Sequence, residues 1–197
     1  MQVALYAPLK PLDHPVPSGD RTIGRELAAA LAGHGIETVV PTRFRARWFS
    51  VRPLLWLKAL AARREALAAA RREGIEAFVT YHAYYKSPDV IGPYVARARG
   101  IPYVIFQGIH ATKTRRRLAT RLGYVLNRRS LLAADAVFSN RKLDVDNLLR
   151  LLPPERVVYV RPGIDPGAFS FDAAARRRLR GAWGVADAPV VVTGAMF

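Results

Sequence analysis

Cysteine is missing from all 197 residues, which excludes disulfides and thiolate metal sites and fits a protein of the reducing cytosol. Histidine is scarce. The four present (His14, His34, His82 and His110) form no His-x-x-x-His pair, so no metal is expected. No apolar run reaches the roughly 18–20 residues that a membrane span requires. The start, Met1-Gln2-Val3-Ala4-Leu5, has no basic leader region and runs straight into a strand pattern, so no signal peptide is read there. Neither a G-x-G-x-x-G fingerprint nor a P-loop lysine occurs, which leaves dehydrogenase and nucleotide triphosphatase readings without support. No cofactor is expected.

Acidic residues are few as well: 15 against 31 Lys and Arg, a net charge of +16. The excess is concentrated. Residues 41–64 carry Arg43, Arg45, Arg47, Arg52, Lys58, Arg63 and Arg64 with no acid. Residues 113–129 carry Lys113, Arg115, Arg116, Arg117, Arg121, Arg128 and Arg129, again with none. Such a field attracts polyanions: anionic lipid, phosphorylated ligands or nucleic acid. No helix-turn-helix, zinc-finger or RNP signature accompanies it, so no specific nucleic-acid partner is expected. A solvated, arginine-rich surface is the plainer alternative.

Short β-rich runs alternate with helical stretches, the pattern of βαβ units around a parallel sheet. Strands are expected at 2–7, 36–40, 76–80, 102–106, 135–139 and 156–160, and helices near 20–33, 53–73, 89–99, 115–133 and 141–152. Leu118, Leu122, Val125 and Leu126 fall at helical spacing and predict a buried stripe, as do Val90, Ile91, Tyr94, Val95 and Ala98. Gly35 and Gly74 stand where helices should stop. The fold class is therefore α/β: a Rossmann-like doubly wound parallel sheet with helices on both faces. After the turn-rich Pro162–Gly167 comes a basic helix at 172–183 and a further strand pattern at 190–194. These divide the chain into a domain at 1–170 and, at 171–197, a linker helix and first strand of a second domain.

In such a sheet, ligands bind beyond the carboxyl ends of the strands, near helix amino-termini. The loop before the first helix offers Gly19, Asp20 and Arg21 to a phosphate, with Ser18 or Asp20 as the N-cap. After the third strand, Tyr81, His82, Tyr84, Tyr85 and Lys86 form an acceptor-side loop that suits a polyhydroxyl or phosphate-bearing ligand, rings stacking and polar tips hydrogen-bonding. His110 lies in a polar loop between a strand and a basic helix. The segment 43–58 mixes its arginines and Lys58 with Phe44, Trp48, Phe49, Leu54, Leu55 and Trp56, the composition of a membrane-surface element.

Taken in order, these loops resemble the amino-terminal half of family 4 glycosyltransferases of the GT-B fold. Ser18-Gly19-Asp20-Arg21 resembles the family's glycine-rich loop, and Gly33-His34-Gly35 the turn after its helix. Asp135–Ser139, and Val157–Asp165 with Phe169, resemble the run that closes the domain. Arg161-Pro162 stands where the family usually has asparagine before the glycine, and Ala111 where an acid usually follows the histidine. The resemblance implies a sugar-nucleotide donor, a glycan or lipid-linked acceptor, metal-independent transfer, usually with retention, and a place on the cytoplasmic face of the membrane. It implies that Gly19 lies near the donor phosphate and that His110 is catalytic, with Arg43, Arg45, Arg47, Trp48, Phe49, Arg52, Trp56, Lys58, Arg115, Arg116, Arg117 and Arg121 facing lipid. It also implies that these residues without a second domain are inactive. A stand-alone basic α/β module binding nucleic acid or phosphorylated ligands is the alternative.

Overall fold

A computed structural model describes residues 1–163, 166–185 and 187–193, without the side chains of Ser50, Ala168 and Phe169. Contacts divide the chain into Met1–Arg161 and Pro162–Phe197. The first unit is a six-stranded sheet: β1 (Gln2–Tyr6), β2 (Glu37–Val39), β3 (Ala77–Ala83), β4 (Tyr103–Gly108), β5 (Ala136–Ser139) and β6 (Val157–Tyr159). Its order is β2-β1-β3-β4-β5-β6 and every pairing is parallel. The helices are α1 (Gly19–Gly33), α2 (Leu54–Arg72), α3 (Gly92–Arg99), α4 (Leu118–Ala133) and α5 (Lys142–Leu148). This is the Rossmann-like, doubly wound class expected from the sequence.

The two faces have different cores. On one, Ala59, Ala62, Ala66 and Ala70 of α2 pack with Tyr6, Phe78, Tyr103 and Ile105 of the sheet and with Val95, Leu131 and Leu148. Alanine on the helix lets it approach a sheet whose aromatic rings fill the space, a large-against-small match. On the other, Leu5 and Tyr81 meet Ile23, Leu27 and Ala28 of α1. Gly24 is needed there because a Cβ would strike Leu12 and press on the Tyr81 ring. Gly35 and Gly74 end α1 and α2 with φ of 72° and 61°, the left-handed stop that glycine adopts without strain.

Several boundaries and faces differ from the sequence expectation. The α4 stripe is split: Leu118 is 86% and Leu122 41% exposed, whereas Val125 and Leu126 are half-buried and Leu126 packs against the core. The buried face is Gly123, Asn127, Ser130 and Leu131. Polar residues are tolerated inside because Asn127 Nδ2 donates to the Ile109 carbonyl and Ser130 Oγ to the Asn127 carbonyl. Residues 112–116 form a 3-10 turn ahead of α4. In α3, Tyr94 and Ala98 are exposed, and Tyr94 lies beneath the Arg63 guanidinium at 5.3 Å. β3 runs three residues beyond its expected end, because register with β4 continues to Ala83↔Gly108.

In the second unit, α6 (Ala173–Trp183) is capped by Asp172, which accepts from the amides of Ala174 and Ala175 at 2.8 and 2.9 Å. Residues 190–193 are not strand. Ile164, Asp165 and Gly194 of the expected closing run and strand lie outside the described residues.

Candidate functional site at the carboxyl edge of the sheet

The strand order reverses at β1. Its connection through α1 leads to β2 on one side, while β3 lies on the other. Such a switch point opens a crevice at the carboxyl ends of the two diverging strands. Here it lies between the loop after β1 and the end of β3.

Ser18 is the N-cap of α1, its Oγ accepting from the Arg21 amide at 3.3 Å. Gly19 is exposed, and a Cβ on it would meet nothing within 4 Å. The helix amino-terminus is therefore open to an anion. The Arg21 guanidinium points elsewhere than expected: Nη1 donates to the carbonyls of His14 (2.8 Å) and Pro15 (3.1 Å). With Arg25 on the Leu12 carbonyl, it pins the proline-rich loop rather than reaching a ligand.

Tyr81, expected in a loop, is a core residue 1% exposed on the α1 face. Burial, then the carboxylates of Asp20 and Glu26, raise its phenol well above the ordinary value. Among the described residues its buried hydroxyl has no hydrogen-bond partner. Thr80, one residue earlier, faces the opposite core and donates to Asp89. Alternation would send His82 to that same side. Instead its backbone is left-handed, φ 59°, and the ring reaches Asp20 on α1, Nδ1 to Oδ1 at 2.7 Å. Gln107 of β4, between the paired positions Phe106 and Gly108, is left-handed too at φ 61°. Side by side, two non-glycine residues hold a conformation of order 1–3 kcal/mol above the usual wells, a strain that clusters at functional sites.

Aromatic rings wall this spot. Tyr84 stacks on His82 (5.0 Å, 19° between planes) and meets Tyr85 edge-on. Burial first, then Asp20, raises the Tyr84 phenol. A tight turn at 84–87 presents Lys86, whose Nζ lies 5.4 Å from the Trp48 ring and 5.7 Å from Tyr85. Trp48, itself left-handed, donates its amide to the Lys86 carbonyl at 2.7 Å. The loops after β2 and β3 are thereby joined.

His110 is buried at 5% exposure. Its Nδ1–H donates to the Asn147 carbonyl at 3.0 Å, and Nε2 lies 3.4 Å from the Tyr124 hydroxyl, the rings stacking at 5.9 Å. Both nitrogens are engaged, so the ring ties the loop after β4 to α4 and α5. Among the described residues no group of three His, Cys, Asp or Glu side chains could hold a metal.

Of the expected lipid-facing residues, Phe49 is withdrawn: 2% exposed, it packs on Trp56 at 4.6 Å and edge-on to Phe44. Arg43 is paired with Asp13 at 2.6 Å and holds that carboxyl below its ordinary value. Leu54 (78%), which the sequence placed in this segment, is exposed, and so are Val51, Leu57 (69%) and Leu60, which it did not single out, beside Arg52 and Lys58 because α2 buries its alanines. The turn Phe49–Val51 adjoins α4, whose exposed Leu118 and Leu122 stand among Arg115, Arg116, Arg117 and Arg121. No helix among the described residues is long and apolar enough to cross a membrane.

A shallow hollow bordered by Arg63, Tyr94, Tyr103 and Asp135 lies near the start of β4, away from this edge. The class defined by the fold is a Rossmann-like α/β domain. No family model and no curated protein matches the chain. Among solved structures, Anabaena Alr3699/HepE in complex with UDP is similar over 95% of this chain and 51% of its own, with TM-score 0.59 and 15% identity. S. aureus MnaA with UDP gives 0.55 and 14% over 81% and 43%. The UDP-GlcNAc 2-epimerase from Methanocaldococcus jannaschii gives 0.54 and 13% over 81% and 45%. At these identities the likeness is one of fold, and the chain spans about half the length of those structures.

Proposed function

We propose that this chain is the acceptor-side domain of an enzyme that transfers a sugar from a nucleotide-sugar donor to a glycan or lipid-linked acceptor. The observation that carries this reading is the open amino-terminus of α1 at the β1/β3 switch point, with exposed Gly19 in front and His82, Tyr84 and Tyr85 beside it. Free N–H groups and the helix dipole favour a diphosphate oxygen at that end. Tyrosine faces favour a sugar ring, whose C–H groups stack while its hydroxyls bond to polar tips. Neighbours in fold solved with UDP or UDP-glucose support the choice of ligand class.

We further place the acceptor at an anionic membrane surface. Leu54, Leu57, Leu118 and Leu122 are exposed next to a dense arginine and lysine field, and each basic residue near anionic lipid contributes about 1 kcal/mol. His110 serves this reading as a positioning residue: it fixes the loop after β4 at the edge of the site. The reading is tested by titrating UDP-glucose into the chain and following backbone amide shifts. Shifts centred on Gly19, Asp20 and His82 support it. Unchanged spectra at millimolar ligand refute it.

A further inference from the structure

We infer that the hollow at the opposite, amino end of the sheet is a second binding site, for a small phosphate monoester that also carries an amine. This does not rest on the sugar-transfer reading. Strands β4 and β5 begin there, α3 and α4 end there, and Arg63 of α2 is among the walls. The hollow measures about 570 Å³, within the range of small-ligand sites. Its floor is apolar: Ala96 and Tyr103 are buried, and Ile101 packs against the core on the α2 face.

Its charges are of both signs. Arg63 and Arg97 bring two guanidiniums and Asp135 a carboxylate. Among the described residues none of the three is in an ion pair. Opposite charges that share one concave wall without meeting leave room between them for a ligand with matching poles. Two of these charges are already held in place. Arg63 Nε donates to the Val90 carbonyl at 2.8 Å, and its guanidinium lies over the Tyr94 ring at 5.3 Å, which leaves the Nη groups for a ligand. Asp135 Oδ2 accepts from the Tyr103 amide at 2.8 Å, and Oδ1 has no partner among the described residues. Binding to groups fixed in this way costs little further ordering.

The backbone sets the poles. The α3 end is closed by the Gly100 amide, which donates to the carbonyls of Ala96 and Arg97. The α4 end, at Ala133 beside Asp135, is partially negative as helix carboxyl ends are, so that side favours an ammonium. The two guanidiniums match the charge of a phosphate monoester, whose oxygens accept forked N–H pairs. A plain anion would be repelled by Asp135, and a plain cation by the arginines. Gly19 and His82 lie at the carboxyl edge of the sheet, so both sites can be filled at once.

The test follows backbone amides of the intact chain with O-phosphoethanolamine, and with inorganic phosphate and ethanolamine as its two halves. Saturable shifts are expected at Tyr94, Arg97, Gly100 and Asp135, with Gly19 unmoved. Phosphate should bind about tenfold more weakly, and ethanolamine more weakly still. Arg97→Gln alters an exposed side chain, and Asp135→Asn keeps an acceptor for the Tyr103 amide. Each should melt near the wild type and bind about tenfold more weakly. Vesicles of phosphatidylethanolamine, in which the phosphate is a diester, should not displace the free monoester. No shifts at millimolar ligand, equal affinity for phosphate alone, or variants that bind like the wild type overturn the site. Displacement by the vesicles overturns the free monoester in favour of a lipid headgroup.

Discussion

Asp89 and Tyr103 hold each other at 2.7 Å, phenol to carboxylate, in a core that excludes water. The same carboxylate accepts from Thr80 and from the amides of Ile91 and Gly92, which caps α3 from inside the domain. Losing a buried, fully bonded carboxylate strands four donors. Asp89→Ala should therefore lower stability by about 3 kcal/mol. Asp89→Asn keeps an acceptor for the two amides and should lose about 1 kcal/mol. Urea melts of the three proteins check this order.

The same residue gives a pH signature. Burial raises the Asp89 carboxyl above its ordinary value, outweighing the hydrogen bonds that lower it. The folded state thus binds the proton more tightly than the unfolded state. This contribution is fully present below the unfolded value of about 4 and is lost as pH rises through the folded value. Asp13, lowered by Arg43, acts in the opposite sense, but at the exposed surface. Relative to the wild type, Asp89→Asn should gain as pH rises from the acid side. Equal pH slopes in urea midpoints would contradict this.

Gly92 and Gly19 make a matched pair. A Cβ on Gly92 would collide with the Asp89 carboxylate and the Tyr103 ring, whereas one on Gly19 meets open space. Gly92→Ala should lose roughly 2–3 kcal/mol by overpacking. Gly19→Ala should melt like the wild type yet weaken UDP-glucose binding severalfold. Thermal melts and titration separate the two effects.

Much of the fold was legible. Continuous apolar runs placed all six strands of the sheet, and glycines placed the ends of α1 and α2. The site was legible only in pieces. Its loops follow from topology, but no local signal says that His82 turns left-handed, so its meeting with Asp20, 62 positions away, could not be read. Nor could the face of α4. Periodicity finds a stripe, but not that Gly123, Asn127 and Ser130 would turn inward while Leu118 and Leu122 stay outside. For α2 the signal was present: five alanines at helical spacing mark the side that packs closely.

The exposed leucines lead to a membrane measurement. The chain should sediment with vesicles containing phosphatidylglycerol and not with phosphatidylcholine alone. Leu118→Ser should weaken that binding by about 1 kcal/mol, near fivefold. Arg116→Gln with Arg117→Gln should weaken it further and flatten its salt dependence. Equal binding to both vesicle types would argue against an anionic surface.

His110→Ala should lower stability by about 1–3 kcal/mol, because a buried ring and two polar contacts are lost. His82→Ala, on the partly exposed edge, should melt close to the wild type. Parallel melts of both variants distinguish the buried tie from the open one.

The central claim, that the β1/β3 edge receives a nucleotide sugar, is tested most directly by amide spectra of the intact chain with UDP-glucose. The expected result is saturable shifts confined to residues around Gly19, Asp20, His82 and Tyr84, lost in Gly19→Ala. Shifts elsewhere on the domain, or none at millimolar ligand, would contradict it.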